Sequence, residues 1–117
     1  MDDSPETRIP AHLEVQGLIR AVEAAGGFAT VLATGEHDAG TLLVVCCGKG
    51  RVAAAYERMP HPDGARTWVL ARREDPENPH DFWDYCTRRG KQDKDLWVLE
   101  LDIPDAERFI DLEGTSG

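Results

Sequence analysis

The clearest hydrophobic pattern in the chain runs from Leu96 to Leu101 (Leu-Trp-Val-Leu-Glu-Leu). Trp97, Leu99 and Leu101 form one unbroken apolar face, and Leu96 and Val98 make the opposite face half apolar. This pattern predicts a strand internal to its sheet, with the Trp97 face on the core. Upstream, Val15, Leu18, Ile19 and Val22 recur at helical spacing. Pro10 suits a first turn and Gly26-Gly27 a stop, so a helix is expected over residues 11–25. The alternation of Ile9, Ala11, Leu13 and Val15 leaves a short initial strand open as a rival reading.

Four more strands are expected before the Trp97 strand. Phe28 to Thr34 is rich in β-formers, and Thr41 to Cys47 is a continuous apolar run of the kind found in a buried central strand. Arg51 to Arg58 and Arg66 to Arg72 follow. Short glycine turns joining the first three strands predict an antiparallel meander. Met59 to Ala65, with two prolines and Asp-Gly, reads as a loop. A second helix carrying Phe82, Trp83 and Cys86 starts near Pro79 or His80 and is expected to stop at Gly90. The order α-β-β-β-β-α-β describes one α+β domain: a two-layer, mainly antiparallel sheet of about five strands with two helices packed on it. That domain is expected over residues 9–112, between a disordered acidic tail at 1–8 and a flexible tail at 113–117.

Length and composition support this picture. A chain of 117 residues with 41% hydrophobic and 30% charged residues has the size and balance of one soluble domain with one modest core. No apolar run approaches the roughly 20 residues of a membrane span, and no membrane association is expected. The stretch Met1 to Glu6 is acidic and lacks the apolar region of a signal peptide. The expected location is therefore cytoplasmic. Three cysteines, two of them adjacent, do not make a secreted disulfide framework. Cys46 and Cys47 would point to opposite faces of their strand and would not bridge each other.

The net charge of −9 is uneven. Residues 1–48 carry −5, residues 95–117 carry −6, and residues 49–94 carry +2. Overall acidity disfavours duplex nucleic acid and anionic membranes. Only the middle third offers a cationic patch. There Arg72-Arg73 ends the fourth strand and Arg88-Arg89 ends the second helix, near Trp68, Trp83 and Tyr85. Arginines beside aromatics are a means of holding phosphates or single strands. Arg72, Arg73, Arg88 and Arg89 are the candidate residues for an anion or for an acidic segment of a partner. The bland reading places the aromatics in the core and pairs the arginines with Glu74, Asp75, Glu77 and Asp93.

Specific chemical motifs are missing. His12, His37, His61 and His80 have no ligand spacing, so no metal and no cofactor are expected. Gly48-x-Gly50 sits between strands and lacks the helix that would bind a phosphate. No nucleophile–base signature stands out, so the chain leans away from an enzyme. The expected role is a non-enzymatic binding or adaptor module, engaging a protein partner or a second copy through a sheet edge. The alternatives are a small enzyme with an unread site, or a weak anion or nucleic-acid binder acting through the arginines.

The chain also resembles the bacterial domain-of-unknown-function family 1491 over about residues 8–110. The resemblance lies in Arg8 to Gly26 with its Glu23-Ala24-Ala25-Gly26 ending, and in Phe28-Ala29 and Asp38-Ala39-Gly40. Trp68 and the closing Asp93-x-Asp95-Leu96-Trp97-Val98-x-Glu100 complete it. Lys94 stands where the family pattern has Pro, and Val45-Cys46-Cys47 stands where a Lys is expected. The resemblance implies a small cytoplasmic bacterial protein and carries no activity, substrate or cofactor.

Overall fold

A computed structural model describes residues 9–48, 51–60 and 66–110. The tails expected at 1–8 and 113–117 lie outside the described residues, as do 49–50 and 61–65 of the expected turn and loop. In chain order the elements are α1 (Ala11–Ala24), β1 (Phe28–Ala33), β2 (Thr41–Cys47), β3 (Ala54–Pro60), β4 (Arg66–Arg73), α2 (Pro79–Gln92) and β5 (Leu96–Asp102). A short 3-10 turn, Ala106–Phe109, follows. The α+β class, the five strands, the two helices and their order are as the hydrophobic pattern predicts.

The helix reading of the N-terminal segment holds. Val15 and Val22 lie on the buried face of α1. Gly26, at φ 94°, takes the left-handed conformation that ends the helix, and the Gly27 N–H returns to Val22 O at 2.9 Å. The second helix runs on past its expected stop at Gly90. That glycine serves close packing instead: a Cβ there would meet the Ala33 Cβ at 2.9 Å. The third strand begins three residues later than expected and continues to Pro60, because Met59 and Pro60 pair with Thr67 and Arg66 of β4. Pro60 is tolerated there because the β2–β3 ladder ends at Leu43–Glu57.

The sheet order is β1-β5-β2-β3-β4. β2, β3 and β4 form an antiparallel meander, but the meander expected of the first three strands is not formed, because β1 does not pair with β2. β5 lies between them, antiparallel to β1 and parallel to β2. The loop from Thr34 to Gly40 is long enough to cross the two strand spacings, about 4.8 Å each, that this insertion requires. It is a wide connection, not a hairpin turn, and that is where the expected three-strand meander fails.

The layering also differs from a two-layer domain, because each helix covers one face of the sheet. On one side Val15 and Val22 of α1 pack with Leu42, Val44, Trp97, Leu99 and Leu101. On the other, Phe82 and Cys86 of α2 pack with Leu43, Val45, Leu96 and Val98. The uninterrupted apolar run of β2 belongs to a strand buried on both faces. β4 and β1 form the two edges of the sheet.

Candidate functional site

The edge strand β4 is the largest unpartnered element. Among the described residues it bonds only to β3, so one side of its backbone has no strand partner there over eight residues. A register shift between Ala55 and Tyr56 passes over Ala71 of β4. Val69 lies opposite Glu57, on the α2 face, and Leu70 opposite Tyr56, on the α1 face. Both are exposed, at 46% and 43%, so apolar surface flanks the open edge on each side.

The four arginines singled out from the sequence divide between two environments. Arg72 faces α2, where its guanidinium meets Asp81 Oδ2 at 2.9 Å and lies 4.8 Å from the Tyr85 ring centroid. Arg89 makes two hydrogen bonds to Glu57, at 2.9 and 2.8 Å, and a third to the Tyr85 hydroxyl at 2.9 Å. The hydrogen bonds to Glu57 raise its pKa still further above the ordinary arginine value. These two converge on Tyr85, and each is already held by a carboxylate. The arginines thus pair with acids, but the partners are Asp81 and Glu57 rather than Glu74, Asp75, Glu77 and Asp93.

Arg73 and Arg88 are exposed, and among the described residues neither has a carboxylate within 4.0 Å. Arg73 lies opposite Ala54, on the α1 face, so the alternation of side chains along the strand separates it from Arg72. A fifth arginine was not singled out. Arg58 is nearly buried, pairs with Glu14 of α1 and lies 5.7 Å from the Trp68 ring centroid. The sequence could have suggested it only through the polar position that Glu14 occupies on the first turn of α1.

The thiols are unpaired, and Cys46 and Cys47 face opposite sides of β2 as expected. Burial pushes the Cys86 thiol up to about 11. Burial and a hydrogen bond to Glu100, at 3.3 Å, push Cys47 up to about 12. Burial also raises Cys46. All three are therefore protonated at neutral pH, the state of a packed thiol rather than of a nucleophile. A cleft of about 400 Å³ lies between α2 and the sheet, lined by Leu32, Ala33, Trp83, Cys86 and Val98, with Glu100 and Lys91 as its charged groups. It is an apolar recess without an activated nucleophile.

At the N-terminal end of α1, His12, His37 and Asp38 come together. Twenty-five residues separate the two histidines, so no spacing motif could disclose the cluster.

A match to the family model for proteins of unknown function called DUF1491 spans residues 9–111. The chain belongs to the DUF1491 family. Two solved structures of DUF1491 proteins from Caulobacter crescentus CB15 are similar to it. The crystal structure superposes with a TM-score of 0.76 at 31% identity, covering 87% of this chain and 94% of that one. The NMR structure gives 0.71 at 30% identity, with 86% and 91% covered. The solution structure of a protein from A. tumefaciens gives 0.67 at 26% identity, with 85% and 89% covered. No curated protein matches. DUF1491 membership therefore shows the fold and assigns no activity. Among the described residues, no helix is long and apolar enough to cross a membrane.

Proposed function

We propose that this DUF1491 protein is a non-enzymatic binding module of the cytoplasm that takes up an extended, acidic segment of a partner protein along β4. The observation that carries this reading is the open edge of β4, with Val69 and Leu70 exposed on either side of it. Natural sheets protect such edges with inward charges, short strands or covering loops. Addition of a strand satisfies the free amides and carbonyls and buries alternate apolar side chains. Arg73 at the end of the strand favours carboxylates in the incoming segment, and Arg88 adds positive charge on the α2 side. Unpaired thiols agree with a reducing compartment. The protonated thiols and the apolar cleft argue against the enzymatic alternative.

The test is selection of displayed ten-residue peptides on the full chain, followed by NMR titration of the enriched sequences. Peptides alternating apolar and acidic residues should be enriched and should shift the β4 amides. Val69→Lys with Leu70→Lys should abolish binding, and Arg73→Ala with Arg88→Ala should weaken it and reduce its salt dependence. Enrichment of peptides that shift only the α2 cleft, or no binding below about 1 mM, would overturn the reading.

A further inference from the structure

We infer that His12, His37 and Asp38 form a binding site for a borderline divalent cation of the Zn²⁺ class, a function separate from the β4 edge. The site is built by backbone contacts. Pro10 precedes α1 and provides no side-chain cap, so the first helical N–H groups need other acceptors. The loop between β1 and β2 supplies them: Ala11 N–H donates to Asp38 O and His12 N–H to His37 O, both at 2.9 Å. These two bonds set His12 beside His37, with their rings stacked at 3.5 Å between centroids.

The loop is itself tied to the core. The Trp97 indole donates to Glu36 O at 2.8 Å, and the N–H groups of Glu36 and Thr41 both donate to Asp95 O at 3.2 Å. Glu36 is occupied as well, its Oε1 accepting the Asp38 and Ala39 amides. Gly35 allows the closure, since a Cβ there would lie 2.4 Å from Asp95 O. The two histidines and the aspartate are thus carried by a fixed backbone, with His12 half-buried and His37 and Asp38 open to solvent. Such preorganisation lowers the entropy cost of gathering ligands.

The donor types suit the cation, and the two imidazole rings turn out of their stack to aim their in-plane lone pairs at it. Each of the three residues offers a ligand atom within 4.8 Å of the others. His37 Nδ1 and Asp38 Oδ1 are 3.0 Å apart. That is close to the separation of two neighbouring ligands on one ion with bonds of about 2.0–2.2 Å. The ion would take the place of the proton they share, which leaves to solvent. His12 Nδ1 donates to His37 O at 3.1 Å, which fixes its tautomer and leaves the Nε2 lone pair free. Two imidazole nitrogens and one carboxylate oxygen prefer Zn²⁺, Ni²⁺, Co²⁺ or Cu²⁺ over Mg²⁺ and Ca²⁺. The helix N-terminus disfavours a cation, and the bonds from the Ala11 and His12 amides to loop carbonyls offset part of that repulsion.

Isothermal titration of the full, metal-free chain with ZnCl₂ and with MgCl₂ tests the inference. One Zn²⁺ should bind per chain with micromolar affinity, and Mg²⁺ should not compete. His12→Ala and His37→Ala should each weaken Zn²⁺ binding at least tenfold, whereas His80→Ala and Cys47→Ser should leave it unchanged. Co²⁺ should give visible absorption that His37→Ala removes. His37 is exposed in the loop, so that variant should keep the native circular dichroism spectrum even if His12→Ala does not. Absence of Zn²⁺ binding below about 1 mM, binding unchanged in folded His37→Ala, or binding lost in Cys47→Ser would each overturn the assignment.

Discussion

Trp97-Val98-Leu99 in β5 and Trp68-Val69-Leu70 in β4 are the same tripeptide in two strands of one sheet. In β5, Val98 and Leu99 are 1% and 0% exposed; in β4, Val69 and Leu70 are 46% and 43% exposed. The local pattern is identical and the local conformation is the same. The difference is position: β5 has a strand on each side and a helix over each face, whereas β4 has one neighbour and ends the sheet. The tryptophans differ in the same way. Trp97 satisfies its indole N–H on the Glu36 carbonyl inside the core, and Trp68 packs at its margin beneath Arg58. A Trp-Val-Leu run specifies a strand with apolar faces. Its neighbours decide whether those faces stabilise the fold or remain available to a partner.

The comparison would break first at the tryptophans. Trp97→Ala should cost about 3–5 kcal/mol, since it removes a buried ring and leaves the Glu36 carbonyl without its donor. Trp68→Ala should cost roughly half as much or less, because part of its ring is already solvated. Paired urea denaturation curves decide this, and equal losses would mean that centre and edge are energetically alike. Next comes the arginine pairing that distinguishes the α2 side of the edge from its open side. Glu57→Ala should destabilise by roughly 1–3 kcal/mol because it leaves the half-buried Arg89 without its two charged hydrogen bonds. Arg73→Ala should change stability by less than about 0.5 kcal/mol, measured by the same method.

The edge itself should be nearly silent in stability. Val69→Lys and Leu70→Lys should each shift the unfolding free energy by under about 0.5 kcal/mol while removing partner binding. Leu99→Ala, the β5 counterpart of Leu70, should cost about 2–5 kcal/mol. A large loss from Leu70→Lys would place that side chain in the core.

The thiols enter the comparison only at alkaline pH. In the unfolded chain they ionise near pH 8.5, whereas in the fold Cys86 and Cys47 hold their protons to about 11 and about 12. The folded state therefore binds more protons above the unfolded value. Their stabilising contribution is complete below about pH 8.5 and is lost as pH rises towards 11–12. A Cys47→Ser, Cys86→Ser double variant should show a shallower decline of stability over that window. Native alkylation should label the half-exposed Cys47 before Cys46 and Cys86, with no intramolecular disulfide found on mass analysis.

The sequence alone determined the order of the elements, the core face of β5, the opposed directions of Cys46 and Cys47, and the placement of Arg72-Arg73 at a strand end. Each of these follows from a period of two or 3.6 residues, or from a turn residue acting within a few positions. The tertiary structure decided the rest. Insertion of β5 between β1 and β2 depends on pairing across more than fifty residues, and the flanking Gly-rich loop is compatible with either a hairpin or a split pair. Coverage of both sheet faces depends on where α2 crosses, although the continuous apolar run of β2 already fits burial on both sides. Among the site residues, the positions of the arginines were legible but their partners were not. Glu57 lies thirty-two residues from Arg89 and meets it only because β3 runs beneath α2. His12 and His37 meet for the same kind of reason: a helix start lacking a cap borrows the carbonyls of a distant loop, and no local pattern records that contact.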